Sequence, residues 1–255
     1  MMATDEATVR VEQRGRCAWV TLDRPPLNLL TRRLIGELRA AFAALSQDES
    51  VRVAVISGQG RLMTGGMQLQ ELRDLDQTNA RAFIAELAVA IDAVYRAPFP
   101  TIAMIHGACL GAGLELVMAC DLRVATPDAR LGLPEVRVGI PSVIHAALLP
   151  PLVGPGRAAE LLLTGEPIDG QRALEWGLVN RLAPGDALRA TTEGLIDAIL
   201  ACGPRAIRLQ KELLVGWRNV PLEGAIAASV EVFARAYATD EPRRAMAAFL
   251  ARRRP

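Results

Sequence analysis

The sequence predicts an α/β fold, and three observations carry that reading. Short apolar runs such as "VRVAVISG" (51–58) and "PTIAMI" (100–105) are continuous in Val, Ile and Ala, as strands buried on both faces are. Segments with helical spacing follow them, so strand and helix alternate through the first half. Beyond about residue 155 strand signals nearly vanish and helical patterns dominate. The reading divides the chain into an α/β body over 1–195 and a helical part over 196–255.

In chain order, "CAWVTLDRP" (17–25) alternates and meets Pro25-Pro26, a strand followed by a loop. Thr31 is placed to cap a helix over 31–48, where apolar residues recur at helical spacing. The stretch 51–60 is a strand ending in a glycine turn. A short helix over 67–75 and a longer one over 78–97, stopped by Pro98, come next. The strand over 100–108 leads through glycines to a helix over 112–120, and "DLRVAT" (121–126) is another strand. "LGLPEVRVGIP" (131–141) is a loop with an apolar, strand-like run. Helical patterns then cover "GRAAELLLTG", "DGQRALEWGLV", 186–202, "PRAIRLQKELLVGW" and 221–252.

With 255 residues, half of them apolar, the chain can bury a sizeable core. A net charge of +1 and 4% aromatic residues argue against a nucleic-acid or membrane partner recognised through bulk charge or base stacking. Four dispersed cysteines (Cys17, Cys109, Cys120, Cys202) and only two histidines argue against a zinc site and for reduced thiols in the cytoplasm. The opening "MMATDEATVR" lacks the basic and apolar regions of a signal peptide, and 101–120 contains a histidine, a glutamate and glycines, which makes it a poor membrane span.

Chemistry concentrates at three places. In "HGACLGAGLELVMACD" (106–121), Gly111-Ala112-Gly113 opens a helix whose free N–H groups attract negative charge, and Glu115 lies on its first turn among apolar residues. A glutamate that merely favours the helix dipole competes with a functional role there. Leu116 breaks a dinucleotide fingerprint, and Ala112 rules out a capping box. In "GRLMTGGMQLQEL" (60–72), Gly66 stands where a phosphate loop needs lysine, which leaves a second turn able to expose backbone N–H groups. Two such donors on one carbonyl oxygen make an oxyanion hole. The third place is Pro134-Glu135; alone it is a solvated loop glutamate, but paired with Glu115 it allows divided acid and base roles.

These segments, in this order, resemble the crotonase superfamily, and most of all its enoyl-CoA hydratases. The likeness rests on Met63-Thr64-Gly65-Gly66-Met67-Gln68-Leu69, on Gly111-Ala112-Gly113-Leu114-Glu115-Leu116 with Cys120-Asp121, on Pro134-Glu135, and on "ELLLTGEPIDGQRALEWGLVNRL". It implies a spiral of ββα turns with a helical C-terminal trimerisation region, assembled as a homotrimer or homohexamer. Carried over by position, it implies that the amides of Met67 and Ala112 hold a thioester oxygen and that Glu115 and Glu135 exchange protons with water. Leu27, Gly65, Gly66, Gln68, Leu69 and Gly111 would contact the substrate, an acyl-CoA thioester, with no metal or other cofactor. The implied reaction adds water across C2=C3 of a trans-2-enoyl-CoA. An enoyl-CoA isomerase, another acyl-CoA lyase and a non-catalytic acyl-CoA-binding scaffold are the alternatives.

The chain departs from the family pattern in places. Met67 replaces a typically small residue and Gln68 a typical Asp. Pro141-Ser142-Val143-Ile144-His145 replaces a Pro-Gly-x-Gly-Gly run, which should alter the helix start there. His145 is read either as lining that helix or as touching substrate. Phe249 persists, and Arg252-Arg253-Arg254 is read either as a solvated tail or as contacts for the CoA 3′-phosphate.

Overall fold

Along the chain, β1 (Val9–Arg14) and β2 (Cys17–Leu22) are followed by α1 (Arg32–Gln47), β3 (Val53–Gly58), α2 (Leu69–Arg73) and α3 (Gln77–Tyr95). Next, β4 (Thr101–Ile105) and β5 (Ala108–Leu110) lead into α4 (Ala112–Ala119), β6 (Leu122–Ala125) and β7 (Arg130–Gly132). Two 3-10 turns, Pro134–Val138 and Ile144–Leu148, precede α5 (Leu149–Val153), α6 (Pro155–Thr164), β8 (Ile168–Asp169), α7 (Gly170–Glu175) and β9 (Arg181–Leu182). Then come α8 (Gly185–Leu200), α9 (Pro204–Trp217), α10 (Leu222–Ala236) and α11 (Glu241–Ala251). This is a computed structural model, and it describes residues 7–251. The first six residues and Arg252-Arg253-Arg254, on which two of the expectations above rest, lie outside the described residues.

The larger sheet has the order β1-β2-β3-β4-β6-β9. Its first pair is antiparallel and the rest are parallel, with Cys17 beside Val53 and Ile102 beside Leu122. The apolar runs have no polar alternation because both faces are covered. Ala18, Val20, Leu22, Ala54 and Ile56 face the main core with Phe42, Ile91 and Phe99. Their neighbours Cys17, Trp19, Val53 and Val55 face a second core closed by Leu188, Leu195 and Ile196 of α8. Residue 195 falls inside α8. A smaller sheet, β5-β7-β8, lies beside the glycine-rich turns.

Helix starts follow local chemistry. Thr31 caps α1, its hydroxyl accepting from Leu34 N–H at 3.2 Å, and Asp76 with Asn79 forms a capping box at α3. Among the described residues no helix is long and apolar enough to cross a membrane.

Several elements differ from the sequence reading. β1 escapes it because only Val9 of that edge strand is buried, so no apolar alternation marks it. The strand-like run after Pro134 is a 3-10 turn, Pro134–Val138, ended by Gly139 at φ 82°. The helical stretch 221–252 is broken after Ala236. The break delivers the Glu241 carboxylate to the start of α9, where it accepts from Arg205 N–H (3.0 Å) and Ala206 N–H (2.9 Å). Cys17, Cys109 and Cys120 are free and buried, whereas Cys202 is free and exposed.

Candidate active site

The two glycine-rich turns lie against each other. Thr64 N–H donates to Ala108 O at 3.0 Å, and Leu110 N–H donates to Thr64 O at 3.2 Å, tying the segment before one turn to the segment before the other. Gly66 has φ 92°, and a Cβ there would come within 2.8 Å of Leu110 O. A residue with a side chain would therefore push the turns apart as well as strain the backbone.

Most of the backbone donors of these turns are used. Gly65 N–H donates to Leu27 O (2.9 Å), Gly66 N–H to Thr64 Oγ1 (3.0 Å) and Gln68 N–H to Leu30 O (3.1 Å). Met67 N–H has no acceptor among the described residues. On the second turn Gly111 N–H donates to Gly132 O (2.9 Å), while Leu114 and Glu115 N–H both donate to Gly111 O. Ala112 and Gly113, the first residues of α4, have N–H groups without a described acceptor. Such groups, at a helix start, favour a developing negative charge.

Asn28 holds this frame together. It is fully buried at φ 48° in the loop after β2, a conformation that asparagine tolerates better than most residues. Its Nδ2 donates to Gln59 O, Leu62 O and Met63 O, and its Oδ1 accepts from Arg24 N–H. Its own carbonyl accepts from the Thr64 hydroxyl at 2.8 Å. The sequence reading gave Asn28 no role, although an asparagine between Pro-Pro and an apolar pair is a signal for a left-handed turn.

Both glutamates belong to the surroundings of the Gly111 turn, Glu115 on the first turn of the helix that Gly111 caps and Glu135 through its side chain. Glu115 is 3% exposed on α4, and its Oε2 accepts from Ala146 N–H at 3.0 Å. Burial, and then the charge of Glu135, push its pKa up to about 8, against the pull of the Ala146 and His145 amides. Glu135 is half-buried on the 3-10 turn. Its Oε1 would lie 2.7 Å from a Cβ at Gly111, and its Oε2 accepts from Ser142 Oγ at 2.7 Å. A buried, proton-holding carboxyl beside a second carboxylate is an arrangement suited to moving protons near neutral pH.

The remaining candidate residues surround this centre. Leu27 is exposed over Gly65, and the Gln68 Oε1 is buried without a hydrogen-bond partner. Leu69 is exposed and, with Leu72, Val138 and Ile140, lines a groove of about 400 Å³ between α2 and the turn that carries Glu135. His145 turns its ring edge-on toward Tyr95, with centroids 6.2 Å apart, and burial draws its pKa below the ordinary range. A second pocket of about 420 Å³, lined by Arg96, Arg205, Arg208 and Arg235 among others, is built from α9, α10 and the end of α3. Among the described residues no three His, Cys, Asp or Glu side chains gather as a metal-binding group.

Comparison with known proteins places this site in context. Residues 12–255 match the model of the enoyl-CoA hydratase/isomerase family. The chain is 34% identical over 241 residues to a probable enoyl-CoA hydratase of Bacillus subtilis, covering 93% of each protein. It is 31% identical over 247 residues to a crotonyl-CoA hydratase of Syntrophomonas wolfei, covering 96% of this chain and 95% of that protein. The crystal structure of an enoyl-CoA hydratase from Mycobacterium smegmatis superposes with a TM-score of 0.94 at 32% identity, over 98% of both chains. The fold and these likenesses define a hydratase/isomerase-type enzyme. The chain belongs to the enoyl-CoA hydratase/isomerase family.

Proposed function

We propose that this protein adds water across the C2=C3 double bond of trans-2-enoyl-CoA thioesters to give 3-hydroxyacyl-CoA. The observation that carries the reading is that Glu115, on the first turn of α4, and Glu135, whose Oε1 lies at Gly111, are near enough to feel each other's charge and stand by amides with no acceptor among the described residues. The thioester oxygen accepts from Met67 and Ala112 N–H, which stabilise the enolate-like charge as water adds; each such donor contributes roughly 3–4 kcal/mol in favourable sites. One carboxyl of the pair takes a proton from the water that attacks C3, and the pair returns a proton to C2. With Glu115 holding its proton up to about pH 8, the pair keeps a proton to deliver at neutral pH. The acyl chain leaves along the apolar groove at Leu69, Val138 and Ile140. Coenzyme A enters as part of the substrate, and the chemistry calls for no further cofactor.

The same reading includes a homo-oligomer, trimer or hexamer, working in the cytoplasm. Leu222, Ile226, Val230, Phe233 and Tyr237 form a continuous exposed stripe on α10 at helical spacing. An apolar stripe of that length is a surface that association would bury.

The test is isotopic. In ¹⁸O-labelled water a trans-2-enoyl-CoA should yield 3-hydroxyacyl-CoA carrying one ¹⁸O. Interconversion of 2-enoyl and 3-enoyl thioesters without oxygen uptake would overturn hydration in favour of isomerisation.

A further inference from the structure

The five residues 142–146 touch both carboxyl groups. Ala146 N–H holds Glu115 at 3.0 Å, and Ser142 Oγ holds Glu135 at 2.7 Å. Between them Ile144 sits at φ 43°, a region that β-branched residues rarely enter. Tertiary structure must therefore hold this short segment in place.

The two glutamates are secured very differently. Glu115 is enclosed in α4, whereas Glu135 stands on a short turn whose following residues, Val136 to Ile140, are exposed. The Ser142 hydroxyl is the one hydrogen-bond donor to the Glu135 side chain among the described residues. It takes Oε2 and leaves Oε1 beside Gly111, the N-cap of α4. Without it, a carboxylate on a half-exposed turn has several rotamers open to it. Ser142 meets no local structural demand, since Val143 is the N-cap of the following turn and Ser142 caps nothing.

We infer that Ser142 is a positioning residue that fixes the Glu135 carboxylate in its working orientation through the hydroxyl. The inference rests on the hydratase reading for its kinetic consequences. Removing a hydrogen bond that orients a proton-transfer group leaves substrate binding intact and slows the chemical step.

The experiment compares wild type with Ser142→Ala and Ser142→Thr, and adds a stability cycle with Glu135→Ala and the double variant. Ser142→Ala should lower kcat about tenfold, with KM within about twofold and a melting temperature lowered by only about 2–4 °C. Ser142→Thr, which keeps the hydroxyl, should recover most of the loss. In the cycle, the effects of Ser142→Ala and Glu135→Ala on the folding equilibrium should be non-additive by about fivefold, as for residues in contact. An unchanged kcat, a rise in KM alone, or a threonine variant no better than alanine would overturn the inference, as would additive stabilities. If wild type hydrates no enoyl-CoA while the cycle still shows coupling, the hydratase reading fails and the Ser142–Glu135 link stands.

Discussion

Glu115→Gln removes a proton-binding group but keeps the shape of a side chain that is 3% exposed. In the folded protein the carboxyl keeps its proton until about pH 8, against 4.5 for the unperturbed group. The unfolded chain therefore ionises first, and over that interval it binds fewer protons than the folded one. Stability falls as pH rises through the window, by about 1.4 kcal/mol per pH unit, and the accumulated loss by pH 8 is roughly 4 kcal/mol. Glutamine does not titrate, so the variant escapes this loss. Relative to wild type, it should gain about 2–3 kcal/mol between pH 5 and pH 7. Turnover should fall by roughly 10²–10⁴ at the same time, the scale of a lost acid–base group. Urea unfolding of both proteins at pH 5, 6, 7 and 8, at one protein concentration, measures the difference. A stability difference that stays constant across those pH values would refute the reasoning, because it would mean Glu115 titrates alike in both states.

Three further outcomes follow from the same geometry. Asn28→Ala strips the donors from Gln59, Leu62 and Met63 carbonyls and should cost about 2–3 kcal/mol in urea unfolding; a loss under about 0.5 kcal/mol would contradict its role as the frame. Gly66→Ala places a methyl 2.8 Å from Leu110 O at φ 92°, so kcat should drop by roughly a hundredfold while the far-ultraviolet circular dichroism is retained. Phe233→Glu puts a charge in the exposed α10 stripe and should shift the protein toward monomer in light scattering after gel filtration; an unchanged mass would place the contact between copies elsewhere.

What the sequence made legible follows from burial. The strands within 17–22, 53–58 and 101–105 are packed on both faces, so all but a few positions, such as Thr21, Ser57 and Thr101, are apolar and the runs stand out. β1 is an edge strand with one buried residue, and β5, β7 and β8 have three residues or fewer, too short to show a period. At the site, Gly66 and Gly111 were legible because close approach and positive φ demand glycine there. Asn28 was given no site role and Ser142 none toward Glu135, because the contacts that define them, such as Asn28 to Met63 and Ser142 to Glu135, arise only when the loops fold against each other. The helix break after Ala236 answers to a contact between Glu241 and the start of α9, which no local pattern announces.

The most direct measurement is hydration of crotonyl-CoA, followed as loss of the conjugated enoyl-thioester absorbance, for wild type, Glu115→Gln and Glu135→Gln. Steady turnover by wild type that collapses in both variants is the expected result. No turnover of crotonyl-CoA or of longer enoyl-CoA thioesters, or full activity in either variant, would contradict a hydratase that works through two carboxyl groups.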